Sequence, residues 1–202
     1  MKQKAQNSIN YSVIILAAGK SSRMGAPKWS LRFNEKSSFI ENIISEYYSF
    51  GCKEILLVIN ETDYSSFVGK NYHLTKNVKV VINKHPEWDR FYSLKLGVGE
   101  LEKDQPVFIH NVDNPFVNCD VLSKLFENIN GSDVVIPEYE GRGGHPILIS
   151  NKIIEKVLSS KEDILHFKEF MNQFSKAKIN IDDKRILVNI NSLDEYLQYF
   201  SM

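Results

Sequence analysis

Apolar residues in this chain form short unbroken runs that alternate with stretches of helical spacing. The first run is Val13-Ile14-Ile15-Leu16. Consecutive apolar residues bounded by polar or small ones read as a strand buried on both faces, here over 12–16. Further runs predict strands over 54–59, 78–82 and 107–109, the last ending just before Asp113. Between them, Phe39, Ile43, Ile44 and Tyr47 recur at helical spacing and predict a helix over 38–50. Ser38 and Glu41 form a capping box for it, and Gly51 suits a left-handed C′ position. Leu94, Gly97, Val98 and Leu101 place a helix over 92–101, and Val121, Leu122, Leu125, Phe126 and Ile129 one over 120–129. Strands over 133–136 and 147–149 flank a loop over 137–146, and helices are expected over 152–158, 164–174 and 193–200. Segments 178–181 and 186–190 predict an antiparallel pair across Asp182-Asp183-Lys184.

This alternation implies βαβ units and a largely parallel sheet. The 202 residues suit a single domain over 12–202, preceded by a polar stretch, 1–11, that reads as a disordered lead-in. That stretch has no apolar run of signal-peptide type, and no run approaches a membrane span. Lysine plus arginine and aspartate plus glutamate number 25 each, so no basic excess points to nucleic acid. The two cysteines, Cys52 and Cys119, form no metal or redox motif; free thiols and a disulfide both stay open. A cytoplasmic location is expected. Ligands of open α/β sheets sit beyond the carboxyl ends of the strands. The loops after Leu16, Ile82, Ile109 and Ile190 are therefore expected to gather at one site.

The first of those loops reads Leu16-Ala17-Ala18-Gly19-Lys20-Ser21-Ser22-Arg23-Met24-Gly25-Ala26-Pro27-Lys28. Glycines let its backbone approach a ligand, and its N–H groups can form an anion nest. Arg23 offers a planar fork of donors to phosphate oxygens, and Lys28 a compact charge. The spacing is not that of a Walker A loop. Asp113, in Ile109-His110-Asn111-Val112-Asp113-Asn114-Pro115, follows a strand and precedes a proline. It suits either a magnesium ligand or the start of an Asx turn. Asn191, in Asn189-Ile190-Asn191-Ser192, suits either a metal site or the cap of the last helix. Asn83-Lys84-His85-Pro86-Glu87-Trp88 precedes Tyr92-Ser93-Leu94; Ser93 is expected to cap the helix there, and Trp88 either to pack in the core or to cover the site, the core being favoured. Gly141-Arg142-Gly143-Gly144-His145-Pro146 is either a ligand loop or a mobile hairpin.

In this order the motifs resemble those of the molybdenum-cofactor nucleotidyltransferases, a group of NTP transferases. The resemblance covers about 13–199. It implies a Rossmann-like three-layer α/β/α fold, mostly parallel with a small antiparallel excursion. It also implies Mg²⁺-dependent transfer of an NMP unit from a nucleoside triphosphate to a small phosphorylated acceptor, with release of pyrophosphate. On that basis Arg23, Lys28 and Asp113 are catalytic, and Asp113 and Asn191 hold the metal. Leu16, Ala17, Ala18, Gly19, Asn83 and Ser93 contact the nucleotide, and Arg142, Gly144 and His145 face the acceptor. Guanylyl-transferring relatives often carry glycine at the position of Ala18, so CTP is favoured over GTP. His110 and Asn111 replace the small residues usual before the acid. Segment 159–163 lacks the glycines of the molybdopterin cytidylyltransferases. Acceptors such as a sugar phosphate or phosphocholine therefore stay open, as does a non-catalytic nucleotide-binding regulatory module. The oligomeric state is also open.

Overall fold

The computed structural model describes residues 11–21, 24–70, 72, 76–102 and 105–200. Strands β1 (Tyr11–Leu16), β2 (Cys52–Asn60), β3 (Val78–Asn83) and β4 (Val107–Asn111) pair in parallel, in the spatial order β3-β2-β1-β4. Beyond β4 the sheet continues through β7 (Ile147–Ile149), β5 (Val134–Tyr139) and β6 (Arg142–Gly143), all antiparallel. β8 (Lys176–Asn180) pairs in parallel with β5. The expected fold class, mainly parallel at the core with an antiparallel excursion, is the one observed.

Both faces of the central strands are buried, which explains the unbroken apolar runs. Val13 and Ile15 of β1, with Ile55, Leu57 and Ile59 of β2, enter one core. That core includes α1 (Phe39–Phe50) and α4 (Cys119–Glu127). Ile14, Leu16, Leu56 and Val58 point the opposite way, to α3 (Asp89–Gly99), α5 (Asn151–Ser159) and α6 (Phe167–Met171). This is the period-2 alternation of a strand in a three-layer fold. Helix α1 has the expected capping box, and Gly51 stands at φ +103. Helix α7 (Leu193–Phe200) docks through Tyr196 and Phe200 on the rings of Phe33, Phe39 and Phe116.

Several expectations are corrected. Tyr11 belongs to β1 and packs on Phe50 and Phe126, so it is not part of a lead-in. Helix α2 (Glu61–Gly69) was not legible in the pattern, because Phe67 is its one buried residue; Asn60 caps it by accepting from Asp63 N–H at 2.7 Å. The loop 137–146 is a hairpin built by β5 and β6. The helix over 164–174 shrinks to α6, and the segment ahead of it is held by Lys95 Nζ, which donates to Ser160 O (2.9 Å) and Asp163 Oδ1 (2.6 Å). The antiparallel pair over 178–190 does not form. Asp183 instead caps a 3-10 turn, Lys184–Leu187, by accepting from Arg185 N–H at 2.9 Å. The Ile186 carbonyl is taken by His145 N–H at 2.9 Å and by Asn114 Nδ2 at 3.0 Å. Its backbone hydrogen bonds thus go to the hairpin and to the turn after β4, not to a strand partner. Among the described residues, no helix is long and apolar enough to cross a membrane.

Gly97 lies where α3 crosses β1, and a Cβ there would stand 2.6 Å from Ile14 Cγ2. Gly97→Ala is expected to lose about 1–3 kcal/mol by overpacking, outweighing its better helix propensity. A urea melt reads this as a lower midpoint; an unchanged or raised midpoint would refute it.

Candidate active site

A cleft opens at the carboxyl ends of the parallel strands. It is lined by Leu16, Ala17, Ala18, Gly19 and Ser21 from the β1 loop, with Lys28 at that loop's end. Pro86, Asp89, Arg90 and Ser93 line it from the β3 side, and Asn111, Val112 and Asp113 from β4. The β1 loop is pinned at its root, where Ala17 N–H donates to Val58 O at 2.8 Å. Ser21 Oγ accepts from Lys28 N–H at 3.2 Å and folds the loop back on itself. Gly25 stands at φ +66, which a side chain would oppose. Arg23 lies outside the described residues.

Lys28 Nζ donates to Asn191 Oδ1 at 2.7 Å and to Asp113 Oδ2 at 3.4 Å. One cation thus joins residues distant in sequence. The cap of α7 is not Asn191 but Ser192, whose Oγ accepts from Glu195 N–H at 3.2 Å. Glu195 Oε2 accepts from Ser192 N–H at 3.0 Å and Asn191 N–H at 2.6 Å, leaving the Asn191 side chain to accept from Lys28 and to donate to Asn189 O at 3.2 Å. Among the described residues, Asp113 Oδ1 is buried without a hydrogen-bond partner. Such an oxygen costs stability unless a ligand meets it. One carboxylate and one amide oxygen converging on a cation suit a hard ion whose other ligands are phosphate oxygens and water. They do not suit a resident all-protein site, and no cluster of three or more acidic, His or Cys ligands exists among the described residues.

Asn83 lies beneath the wall and not on it. Fully buried, it donates from Nδ2 to Ser93 Oγ at 2.9 Å and accepts from His85 N–H at 2.7 Å. Ser93 lines the cleft but does not cap α3, which starts a turn earlier at Asp89. Trp88 is not in the core; it stacks on His85, with ring centroids 4.0 Å apart, and meets Tyr92 edge-on. Asp89 and Arg90 were missed as lining residues. Their signal was their place between the loop after β3 and Ser93, at the start of α3.

His110 faces away from the cleft into the α1 core. Its Nε2–H donates to Asn114 O at 2.7 Å, so Nδ1 accepts from the Tyr47 hydroxyl at 3.0 Å. Burial pushes its pKa down to about 3, against the backbone bond to Asn114, which raises it. Asn111 enters the cleft, with Nδ2 3.3 Å from His145 Nε2. His145 is pushed down to about 4, first by burial and then by the charge of Arg90, with Asp113 opposing. Gly144 is a packing residue, since a Cβ there would stand 2.5 Å from Ile186 O. Arg142 is exposed in a second groove with Lys184, Asn189 and Tyr199, which shares Asn191 with the Lys28 cluster.

The MobA-like NTP transferase domain matches residues 13–178. The chain belongs to that family. A 2-C-methyl-D-erythritol 4-phosphate cytidylyltransferase of Bacillus licheniformis is 31% identical over 134 residues, covering 63% of this chain and 56% of the relative. For that relative and the Wolbachia pipientis bifunctional IspD/IspF enzyme (47% of its length), the chain spans about half the relative. A probable molybdenum cofactor guanylyltransferase of Carboxydothermus hydrogenoformans is 26% identical, covering 96% of this chain and 98% of the relative. Among solved structures, Rv0371c of Mycobacterium tuberculosis superposes with TM-score 0.78 at 17% identity, covering 96% of this chain and 99% of that one. The last likeness speaks to the fold alone.

Both imidazoles titrate lower in the folded protein than the ordinary value near 6.5. As pH falls below 6.5 the unfolded chain takes protons that the folded chain refuses, so stability falls with pH. For His110 the expected slope between pH 6 and 4 is about 1.4 kcal/mol per unit. Urea melts at pH 7.5, 6 and 5 measure it; equal stability at all three would contradict the buried neutral state.

Proposed function

We propose that this MobA-like NTP transferase domain protein is a Mg²⁺-dependent nucleotidyltransferase that joins an NMP unit, CMP favoured, to a phosphorylated acceptor. The observation that carries this reading is the Lys28 ammonium held between Asp113 and Asn191, beside a buried carboxylate oxygen with no partner among the described residues. The cytidylyltransferase and guanylyltransferase relatives support nucleotidyl transfer. A manganese complex of a structural neighbour, at TM-score 0.73, is consistent with a divalent ion.

In this mechanism an ionised oxygen of the acceptor phosphate attacks the α-phosphorus of the nucleoside triphosphate. The bond from that phosphorus to the bridging oxygen breaks, and pyrophosphate carries the electron pair away. No general base is needed, because the nucleophile is already anionic. Lys28, with Arg23 of the same loop, neutralises charge on the triphosphate, and the N–H groups of the β1 loop align it. Asp113 and Asn191 would hold Mg²⁺, which supplies Lewis-acid neutralisation of the phosphate oxygens. The Ala17–Ala18 floor and Ser93 receive the nucleoside. The Ala18 methyl narrows that floor, and one methyl discriminates by ~1–3 kcal/mol. Arg142 in the second groove and His145, beside Asn111, are the acceptor-side groups. That groove suits a phosphorylated polyol or alcohol as well as a pterin. A non-catalytic binding role would show as nucleotide binding with no pyrophosphate release for any acceptor.

Asp113→Ala is expected to lower kcat by on the order of a hundredfold or more while the fold persists. The loop is held through its backbone, with Ile190 N–H donating to Asp113 O at 2.7 Å. Loss of the unpartnered Oδ1 favours the variant and loss of the 3.4 Å contact of Oδ2 with Lys28 disfavours it, so the melting temperature should change little. Pyrophosphate release at wild-type rate by this variant would refute the assignment. Lys28→Ala should weaken Mg·NTP binding or slow transfer; unchanged kinetics would refute its role.

A further inference from the structure

We propose that Asp63 of α2 is a positioning residue that fastens both ends of the β1 loop and so sets where Lys28 meets the triphosphate. The inference rests on the reading of the cleft as a nucleotide site. Asp63 is not among the residues that line that cleft. The loop leaves β1 through Ala17 and Ala18 and ends in a 3-10 turn, Lys28–Ser30. Its start is held by Asn60, the last residue of β2. Asn60 Nδ2 donates to Ala18 O at 3.4 Å and to Asp63 Oδ2 at 2.9 Å. Its end is held by Trp29, whose Nε1–H donates to the same Oδ2 at 3.3 Å. One carboxylate oxygen thus joins the first residues of the loop to the last.

A first-turn aspartate suits the helix dipole wherever its side chain points. In a capping box, however, the carboxylate would turn back to the Asn60 N–H. Here it goes to the Asn60 side chain and to Trp29. Asn60 caps α2 with its Oδ1, which accepts from Asp63 N–H at 2.7 Å. That bond fixes the amide, because with Oδ1 facing an N–H, Nδ2 is left to face Ala18 and Asp63. Trp29 is 1% exposed, and its ring meets Phe67 and Tyr72 edge-on. Among the described residues, the Asp63 carboxylate is the one hydrogen-bond partner of its N–H. A buried donor deprived of its acceptor destabilises the arrangement that holds it. Lys28 precedes Trp29 in the same turn. Fixing the indole therefore fixes the backbone from which the ammonium reaches Asn191 and Asp113. A lysine stem is flexible by itself, and a misplacement of about 1 Å at a reacting group lowers the rate by on the order of a hundredfold.

Three variants test this. Asp63→Ala removes the shared acceptor. Trp29→Phe keeps a ring against Phe67 and Tyr72 and removes the donor. Asp63→Asn keeps an oxygen that both donors can reach. The first readout is tryptic cleavage of the native protein within the loop, at Lys20 and Arg23, without nucleotide. The second is calorimetric titration with the Mg²⁺ complexes of CTP and GTP, at a temperature where circular dichroism shows every variant folded. Asp63→Ala and Trp29→Phe should each speed loop cleavage by about fivefold or more and weaken nucleotide binding by about tenfold. Asp63→Asn should stay within about threefold of wild type in both. The double variant should match Asp63→Ala, because the second change finds no bond left to remove. Wild-type cleavage and affinity in Asp63→Ala and Trp29→Phe would overturn the inference while leaving the nucleotide site standing. So would lowered melting temperatures with neither readout changed, which would assign the bond to the packing of α2 alone. No binding of either nucleotide by the wild type, with loop cleavage still faster in the variants, would overturn the nucleotide reading and leave only the fastening of the loop.

Discussion

The candidate site depends on one buried polar knot around Asn114. This residue is fully buried, and its Nδ2 donates to Ile186 O at 3.0 Å. Its carbonyl accepts from His110 at 2.7 Å, and its N–H closes a turn on Asn111 O at 3.0 Å. Removing any partner would strand a buried polar group, which costs more than the bond itself contributes. The knot fastens the end of the central strand to the C-terminal segment. Asp113 is thereby held opposite Asn191, and the lysine of the β1 loop closes the gap between them. His110, bulky and neutral, anchors the knot to Tyr47 on the helix layer.

The same arrangement carries an internal cost. Among the described residues Asp113 Oδ1 is buried without a partner, as is Oδ1 of Asn114 beside it, and Asp89 sits in a backbone region that disfavours side chains. Asp113 and Asp89 both lie on the wall of one cleft. Proteins retain such unfavourable features where the surrounding packing outweighs them and a ligand can meet them. Elsewhere on the sheet the buried polar side chains, such as Asn83 and His110, have hydrogen-bond partners. The charge balance of the chain, 25 basic against 25 acidic residues, fits this picture. The site relies on a few placed charges and not on a broad electrostatic field.

Much was determined by the sequence itself. The strand periodicity, the capping box of α1 and the order of the motifs depend on neighbours within a few residues, and such local rules survive in any fold that buries the apolar runs. The glycine-containing loop after β1 and the acid after the fourth strand were legible for the same reason, whereas the Asn191 segment was singled out by its resemblance to a family motif. Folding decided what depends on partners distant in sequence. Segment 186–190 could pair with 178–181 by pattern, yet the Ile186 carbonyl is taken by His145 and Asn114, so a turn forms instead. Asn83 read as a nucleotide contact, but its amide is consumed by Ser93 and its place is beneath the wall. Asp89 showed nothing unusual in one dimension, because its left-handed backbone is set by how the loop after β3 meets α3. Hydrophobic pattern is written along the chain; the assignment of each buried polar group to its partner exists only once the chain has closed on itself.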